Sequence, residues 1–521
     1  MRLSSILVHF FLAATTQAHA GAGPLVRSVE PISGTFQQLI DHKNPKLGTF
    51  SQRFWYSTEY YAGPGSPIVL RAPPESESSG DISNFTLIGK LAEILGGAAI
   101  VLEHRYWGGS SPYQNLTIAN LQHLNLDNAI QDLTYFANNV KLPFDSKGST
   151  RPTEAPWILA GCSYSGALTA WTYALAPGTF WAYYCSSAVV QAISDFSQYF
   201  EPIKKAMPQN CTTDMQSAIR YIDGVLSTGS QEDKHALKSK FGLEALTYDD
   251  DFAKALVTAL QRWQGTMFFK SKTRDPQNML YEMCDYIENV FPNKPSVMPG
   301  AEGVGLEMAL DGFARWSKNE VLKSCSVSPY WKGQNTTACF EKHNKTNPMF
   351  TDISVGNAGD RQWQWLLCNE PFQWWQVSGP SETTGLISKF LTVEYQKMQC
   401  DFYFPSDGEY TNGLAAGRTA EQVNKKTGGW DMGETRRLMW VDGEYDPWIS
   451  ASVSAPGRPG GPLKSTDQAP VWVIPKAAHC NDMMVVNADV NADMARILGE
   501  VLAKMKTWVD EFYVEKGKTR P

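Results

Sequence analysis

A serine held between small residues at the end of an apolar run is the setting a nucleophile needs. The chain has one at Gly161-Cys162-Ser163-Tyr164-Ser165-Gly166. The run 157–160 precedes it and the helix-compatible Ala167-Leu168-Thr169-Ala170-Trp171 follows, so Ser163 is expected on a sharp strand-to-helix turn. Such an elbow raises the hydroxyl above the sheet, and the backbone N–H of Tyr164, at the helix start, is offered to a developing oxyanion. The strict G-x-S-x-G pattern fails, because Ser165 stands where the second glycine should be. The motif alone suits an ordinary strand–helix turn equally well.

A serine hydroxyl needs a base to activate it. In an α/β-hydrolase the partners follow in the order Ser, acid, His. Six histidines lie beyond the N-terminal segment, at positions 42, 104, 123, 235, 343 and 479, and His479 alone comes late enough. It sits in Lys476-Ala477-Ala478-His479-Cys480, just after the apolar run 471–474. The acid belongs on the loop after the preceding run, 438–441, where Asp442, Glu444 and Asp446 compete. Spacing does not choose among them. A carboxylate that holds an imidazole tautomer must be presented rigidly, which Asp446-Pro447 suits best, whereas Asp442 reads as a turn residue.

These groups need a scaffold. Short apolar runs at 67–70, 98–102, 157–160, 438–441 and 471–474 read as buried parallel strands. Between and after them lie helical periods, such as Ala129, Leu133 and Phe136, and the series Met494, Ile497, Leu498, Val501, Met505, Trp508. Alternating strand and helix implies an α/β fold. From about 193 to 424 the strand signal fades, while Met215, Ala218, Ile219 and Ile222 keep helical spacing. The expected organisation is a signal peptide at 1–20, a core of 21–192 and 425–521, and a mainly helical cap inserted at 193–424.

The 521 residues are 43% hydrophobic and 19% charged, which supports a large packed core and argues against disorder. With 53 acidic against 46 basic residues and no Lys/Arg run, nucleic acid is not an expected partner. Arg2, the apolar stretch 6–14 and Ala18-His19-Ala20 have the order of a secretory signal peptide; no later stretch is long and apolar enough for a membrane span. Export to the outside or to an acidic vacuolar or lysosomal compartment is therefore expected. Sequons at Asn84, Asn115, Asn210, Asn335 and Asn344 agree with that route as glycan acceptors. The nine cysteines are an odd number, so at least one stays unpaired, and the six from Cys211 to Cys400 are the natural staples, with pairs such as Cys325–Cys339 and Cys368–Cys400. No C-x-x-C or H-E-x-x-H spacing occurs, and neither metal nor cofactor is expected.

Glu103-His104-Arg105-Tyr106-Trp107-Gly108, the Ser163 elbow, Gly443-Glu444-Tyr445-Asp446-Pro447-Trp448 and His479-Cys480-Asn481-Asp482 together resemble peptidase family S28, the lysosomal Pro-X carboxypeptidase and dipeptidyl peptidase II group. Segments such as Thr49-Phe50-Ser51-Gln52-Arg53-Phe54-Trp55, Ser354-Val355-Gly356-Asn357-Ala358 and Cys368-Asn369-Glu370-Pro371-Phe372 are similar to the fungal acid prolyl endopeptidases of that family. The resemblance runs from about Phe36 to Tyr513. It implies the α/β-hydrolase fold, Ser163 as nucleophile, Asp446 as triad acid, His479 as base, and hydrolysis on the carboxyl side of proline in peptides or proteins. Three positions depart from the family's usual residues: Cys162 for Gly, Asp442 for Asn, and Pro74 where relatives tend to carry Gly. Proline has no N–H, so a second oxyanion donor from this loop is expected to be missing, at a cost of roughly 100- to 1000-fold in turnover.

A proline ring is rigid and apolar and packs on aromatic faces, so its pocket should be aromatic. By resemblance Trp448 belongs to it; Trp374, Trp375 and Trp430 are further candidates, each also suited to plain core packing. Glu370 is a candidate for binding a free substrate amine in an exopeptidase. An esterase or lipase would share the fold and triad, and a peptide-binding pseudoenzyme would keep the fold alone.

Overall fold

Alternating residues along the central strands divide their side chains between two apolar layers. Ile68, Leu70, Ile100, Trp157 and Leu159 pack on one face, and Val69, Val101, Ile158 and Ala160 on the other. The computed structural model describes residues 30–268, 278–292, 295–379 and 384–521. The expected signal peptide lies outside the described residues.

The strands are β1 (Ile32–Leu39), β2 (Thr49–Ser57), β3 (Ile68–Arg71), β4 (Ala98–Leu102), β5 (Trp157–Cys162), β6 (Ala182–Ser186), β7 (Ile193–Asp195), β8 (Gln373–Trp375), β9 (Leu438–Gly443) and β10 (Val471–Ile474). Eight form one sheet in the order β1-β2-β4-β3-β5-β6-β9-β10. β1–β2 and β2–β4 are antiparallel, and the remaining pairs are parallel. The five apolar runs are β3, β4, β5, β9 and β10. Helices Leu126–Asn139 and Tyr164–Leu175 cover one face, and Leu87–Leu95 and Ala492–Glu515 the other. This is the α/β-hydrolase arrangement, in which the elbow follows the fifth strand.

Between β6 and β9 the chain is mainly helical, from Phe200–Ala206 and the long Gln209–Thr228 through Val393–Tyr403 to Ala420–Thr427. The apolar positions of Gln209–Thr228 are buried at Met215, Ala218, Ile219 and Ile222, as their spacing requires. Two details differ from the reading of the sequence. The expected junction at 424/425 falls inside helix Ala420–Thr427, and the helical region holds a two-stranded sheet, β7 with β8. Disulfides Cys211–Cys284, Cys325–Cys339 and Cys368–Cys400 staple this region. A fourth, Cys162–Cys480, lies in the core and was not anticipated, while Cys185 is buried and unpaired. Among the described residues, no helix is long and apolar enough to cross a membrane.

Candidate active site

Ser163 joins β5 to helix Tyr164–Leu175 with φ 61° and ψ −128°, and its N–H donates to Ser186 O at 3.0 Å. A left-handed φ at a non-glycine residue costs on the order of 1–3 kcal/mol and persists only where the surroundings impose it. They do so here by close approach: a Cβ on Gly161 would lie 2.2 Å from Ser165 O, and one on Gly166 2.6 Å from Ser186 O. Ser165 fits in place of the expected glycine because its hydroxyl turns inward. Its Oγ donates to Cys162 O at 2.7 Å and accepts from Cys162 N at 3.1 Å. The glycine this turn needs is thus Gly166, one position beyond the strict motif.

The Tyr164 N–H begins the helix beside Ser163. The Tyr164 ring is fixed from behind, its hydroxyl 3.1 Å from His104 Nε2, with His104 Nδ1 2.8 Å from Arg105 O. Burial pushes the His104 pKa down to about 4, which favours the neutral ring as a strut behind Tyr164.

Of the three acids competing on the loop after β9, only Asp446 meets the histidine. His479 Nδ1 lies 2.9 and 3.0 Å from its two carboxylate oxygens, and Asp446 also accepts from Trp448 N at 2.9 Å. Glu444 turns outward to Lys205 at 2.6 Å. Asp442, read as a turn residue, is instead the fifth residue of β9 and fully buried. Its Oδ2 accepts from Ser452 and Ser454 at 3.1 and 2.6 Å, while its Oδ1 has no hydrogen-bond partner. Burial, with Asp446 and Asp482 nearby, pushes the Asp442 pKa up to about 7.

This shift makes stability pH-dependent. Below the ordinary carboxyl pKa near 4, Asp442 is protonated folded or unfolded and costs nothing. As pH rises from about 4 to about 7, only the unfolded chain releases the proton, so stability falls across that window at up to roughly 1.4 kcal/mol per pH unit. Asp442→Asn is expected to flatten this fall. Denaturation midpoints at pH 4, 5.5 and 7 check it, and an unchanged slope would remove Asp442 as the cause.

A cavity of about 390 Å³ opens over these groups. Ser163, His479, Cys162 and Cys480 line one side; Arg71 at the end of β3 and Pro74 and Glu75 from the loop after it, with Arg262, Gln264, Asp360, Trp363, Trp374 and Trp448, line the others. The aromatic wall is continuous. Trp374 stacks on Trp363 and meets Trp448 edge-on, at centroid distances of 6.0 and 6.2 Å, and Trp448 is 6.0 Å from the His479 ring. Trp448 Nε1 donates to Gln264 at 2.6 Å and Trp374 Nε1 to Gln191 O at 2.7 Å, so both indoles are held by their polar ends, and Trp374 also stacks on Phe372 at 4.8 Å.

The other expected pocket residues are placed elsewhere. Trp375 follows Trp374 in β8 but does not line the cavity and packs into the core. Trp430 packs against the same core, its backbone N–H donating to Gln191 Oε1 at 3.0 Å. Helix Arg361–Asn369 brings Asp360 and Trp363 to the cavity at its start; Glu370 is at its far end, about 13 Å along the axis, and buried. Asp360, Trp363, Gln264 and Arg262 were missed as site residues.

Of the sequon asparagines, Asn115, Asn335 and Asn344 are exposed, and Asn84 is half-buried. Asn210 is half-buried in a helix, where its amide donates to Glu288 at 2.9 Å.

The family described as Serine carboxypeptidase S28 matches residues 37–496. Two relatives from Bipolaris victoriae, "Serine protease vicPb" and "Serine protease vicPa", are 39% and 40% identical, each alignment covering 93% of this chain and 90% of the relative. A "Probable extracellular serine carboxypeptidase" from Arthroderma benhamiae is 29% identical across 82% of this chain and 59% of its own length. By the extent of that match the chain belongs to the S28 family of serine peptidases.

Proposed function

We propose that the chain is an exported serine peptidase that hydrolyses peptide bonds on the carboxyl side of proline. The observation that carries the reading is the Asp446–His479 pair in the cavity that Ser163 lines, walled by Trp363, Trp374 and Trp448. His479 Nδ1–H donates to Asp446, which leaves Nε2 to take the Ser163 proton as Oγ attacks the carbonyl. The Tyr164 N–H faces the oxyanion, the imidazolium returns its proton to the leaving amine, and water then resolves the acyl-enzyme. Pro74 at the cavity rim supplies no N–H.

The aromatic wall supports proline beside the scissile bond because a pyrrolidine ring gains from apolar contact and asks for no hydrogen bond. Loss of such contact costs about 1 to 3 kcal/mol of discrimination, so Trp448→Ala is expected to cut proline selectivity by roughly 10- to 200-fold. Mass spectrometry of a digested peptide library reads this directly; cuts by the parent chain with no enrichment of proline would overturn the specificity. Fluorophosphonate labelling lost in Ser163→Ala separates a live enzyme from a peptide-binding relic. Comparison of a blocked peptide with an acyl ester separates peptidase from esterase.

Exopeptidase action is a second reading, favoured by Arg71 and Arg262 on the cavity, whose guanidiniums suit a terminal carboxylate. Cleavage of internal Pro bonds in an N-blocked, C-amidated peptide marks the endopeptidase; activity confined to free termini marks the exopeptidase.

A further inference from the structure

Cys162 immediately precedes Ser163 and Cys480 immediately follows His479, so the Cys162–Cys480 disulfide ties together the two loops that carry them, 318 residues apart in the chain. Cys162 is half-buried, Cys480 is nearly covered, and both line the cavity, which gives a small reagent a path to the bond. One ring nitrogen of His479 and the two sulfurs lie within 4.8 Å of one another. Asp446 holds Nδ1–H, which leaves the Nε2 lone pair as the nitrogen of this ring available to a ligand.

We propose that reduction converts this corner into a Cys₂His site for a thiophilic divalent cation, with zinc the chemical type, and that the cation then occupies the nitrogen the reaction needs. The donor chemistry fits. Two thiolates and an imidazole are a standard three-protein-ligand zinc set that leaves a fourth position for water. A carboxylate on the far ring nitrogen is the support that metal-bound histidines usually have, and Asp446 provides it. With Zn–S bonds of about 2.3 Å, two thiolates on one tetrahedral zinc stand roughly 3.8 Å apart, within reach of Cα atoms 5.9 Å apart. No short motif could announce the site, since its donors come from opposite ends of the core.

The chemistry balances with a water-soluble phosphine as reductant. Phosphine, water and the disulfide give phosphine oxide and two thiols; zinc then displaces the two thiol protons and binds neutral Nε2. The disulfide therefore keeps a metal out as well as holding two loops together.

The test uses the full chain at about pH 7. After phosphine treatment and its removal, Co²⁺ is expected to bind at one equivalent with a thiolate-to-cobalt charge-transfer band, a readout that needs no catalysis. The untreated protein and the reduced Cys162→Ala/Cys480→Ala variant should lack the band, and His479→Ala should weaken binding at least ~10-fold. One equivalent of Zn²⁺ should lower turnover of reduced wild type at least ~100-fold, reversibly with chelator, and leave oxidised wild type unchanged. The single variants Cys162→Ala and Cys480→Ala need no reductant and keep one thiol beside His479. Each should be inhibited at higher Zn²⁺ than reduced wild type. The proposal is overturned if the double variant binds Co²⁺ through thiolate as well as wild type does, which would place the site among the cap cysteines, or if both single variants ignore Zn²⁺.

Discussion

Ser163→Ala is expected to lower turnover of a blocked Pro reporter by roughly 10,000- to 1,000,000-fold, and His479→Ala by about as much. The two changes together should cost little more than either alone, because attack and proton transfer are one event. Asp446→Ala should lose somewhat less, about 10,000-fold: Nε2 survives, but the tautomer and the imidazolium lose the carboxylate now 2.9 and 3.0 Å from Nδ1. Circular dichroism must match wild type in each case. Near-normal turnover in Asp446→Ala together with loss in Asp442→Ala would move the acid to Asp442, despite the latter's bonds to Ser452 and Ser454.

Asp132→Ala is expected to destabilise the fold by about 3–5 kcal/mol, the usual cost of stranding a buried charge. Arg105 has no exposed surface, and its five N–H donors are all matched. Nε and Nη2 reach Asp132 at 2.6 and 2.5 Å; the others reach the carbonyls of Ile40, His123 and Leu39 at 2.9, 2.9 and 3.1 Å. Asp132 also faces His42 Nε2 at 2.8 Å. Without the carboxylate, the guanidinium stays buried with nothing to balance it. Its neighbour His104 braces Tyr164, so the loss reaches the elbow. Chemical denaturation checks this, and a midpoint near wild type would show that the carbonyls suffice for Arg105.

β3, β4, β5 and β9, flanked on both faces by other layers, were legible because burial on both sides demands continuous apolar runs. β1, β2 and β6 were not: Ser33, Gln37, Gln38 and Gln52 interrupt the first two, and the buried Gln38 and Gln52 are satisfied by each other, by the carbonyls of Asp132 and Glu103 and by Leu39 N–H. The order Ser, acid, His singled out His479; spacing could not rank the acids, and Asp446 was favoured only for its rigid Asp446-Pro447 turn, whereas the strand's end at Gly443 is what keeps Asp442 inside the sheet and frees Asp446 to meet His479. The indoles were visible as residue types, whereas which of them faces the cavity depends on the local backbone, such as the positive φ at Gln373 and Trp374, and on helix direction. The Cys162–Cys480 bond left no trace, since pairing by near neighbours is a poor guide when a fold returns to its start after 318 residues.

The sheet order has a consequence during synthesis. β6 pairs with β9, yet about 250 residues separate Ser186 from Leu438. At about 5–20 residues per second, the ribosome needs roughly 10 to 50 seconds to deliver the missing neighbour. Throughout that interval β6 is an open edge carrying Ala182, Tyr183, Tyr184 and Cys185, which the finished molecule buries completely or nearly so. Unpaired edges of this kind recruit other chains. The edge of β6 therefore has to wait, unpaired, until the whole helical region between it and β9 has been made.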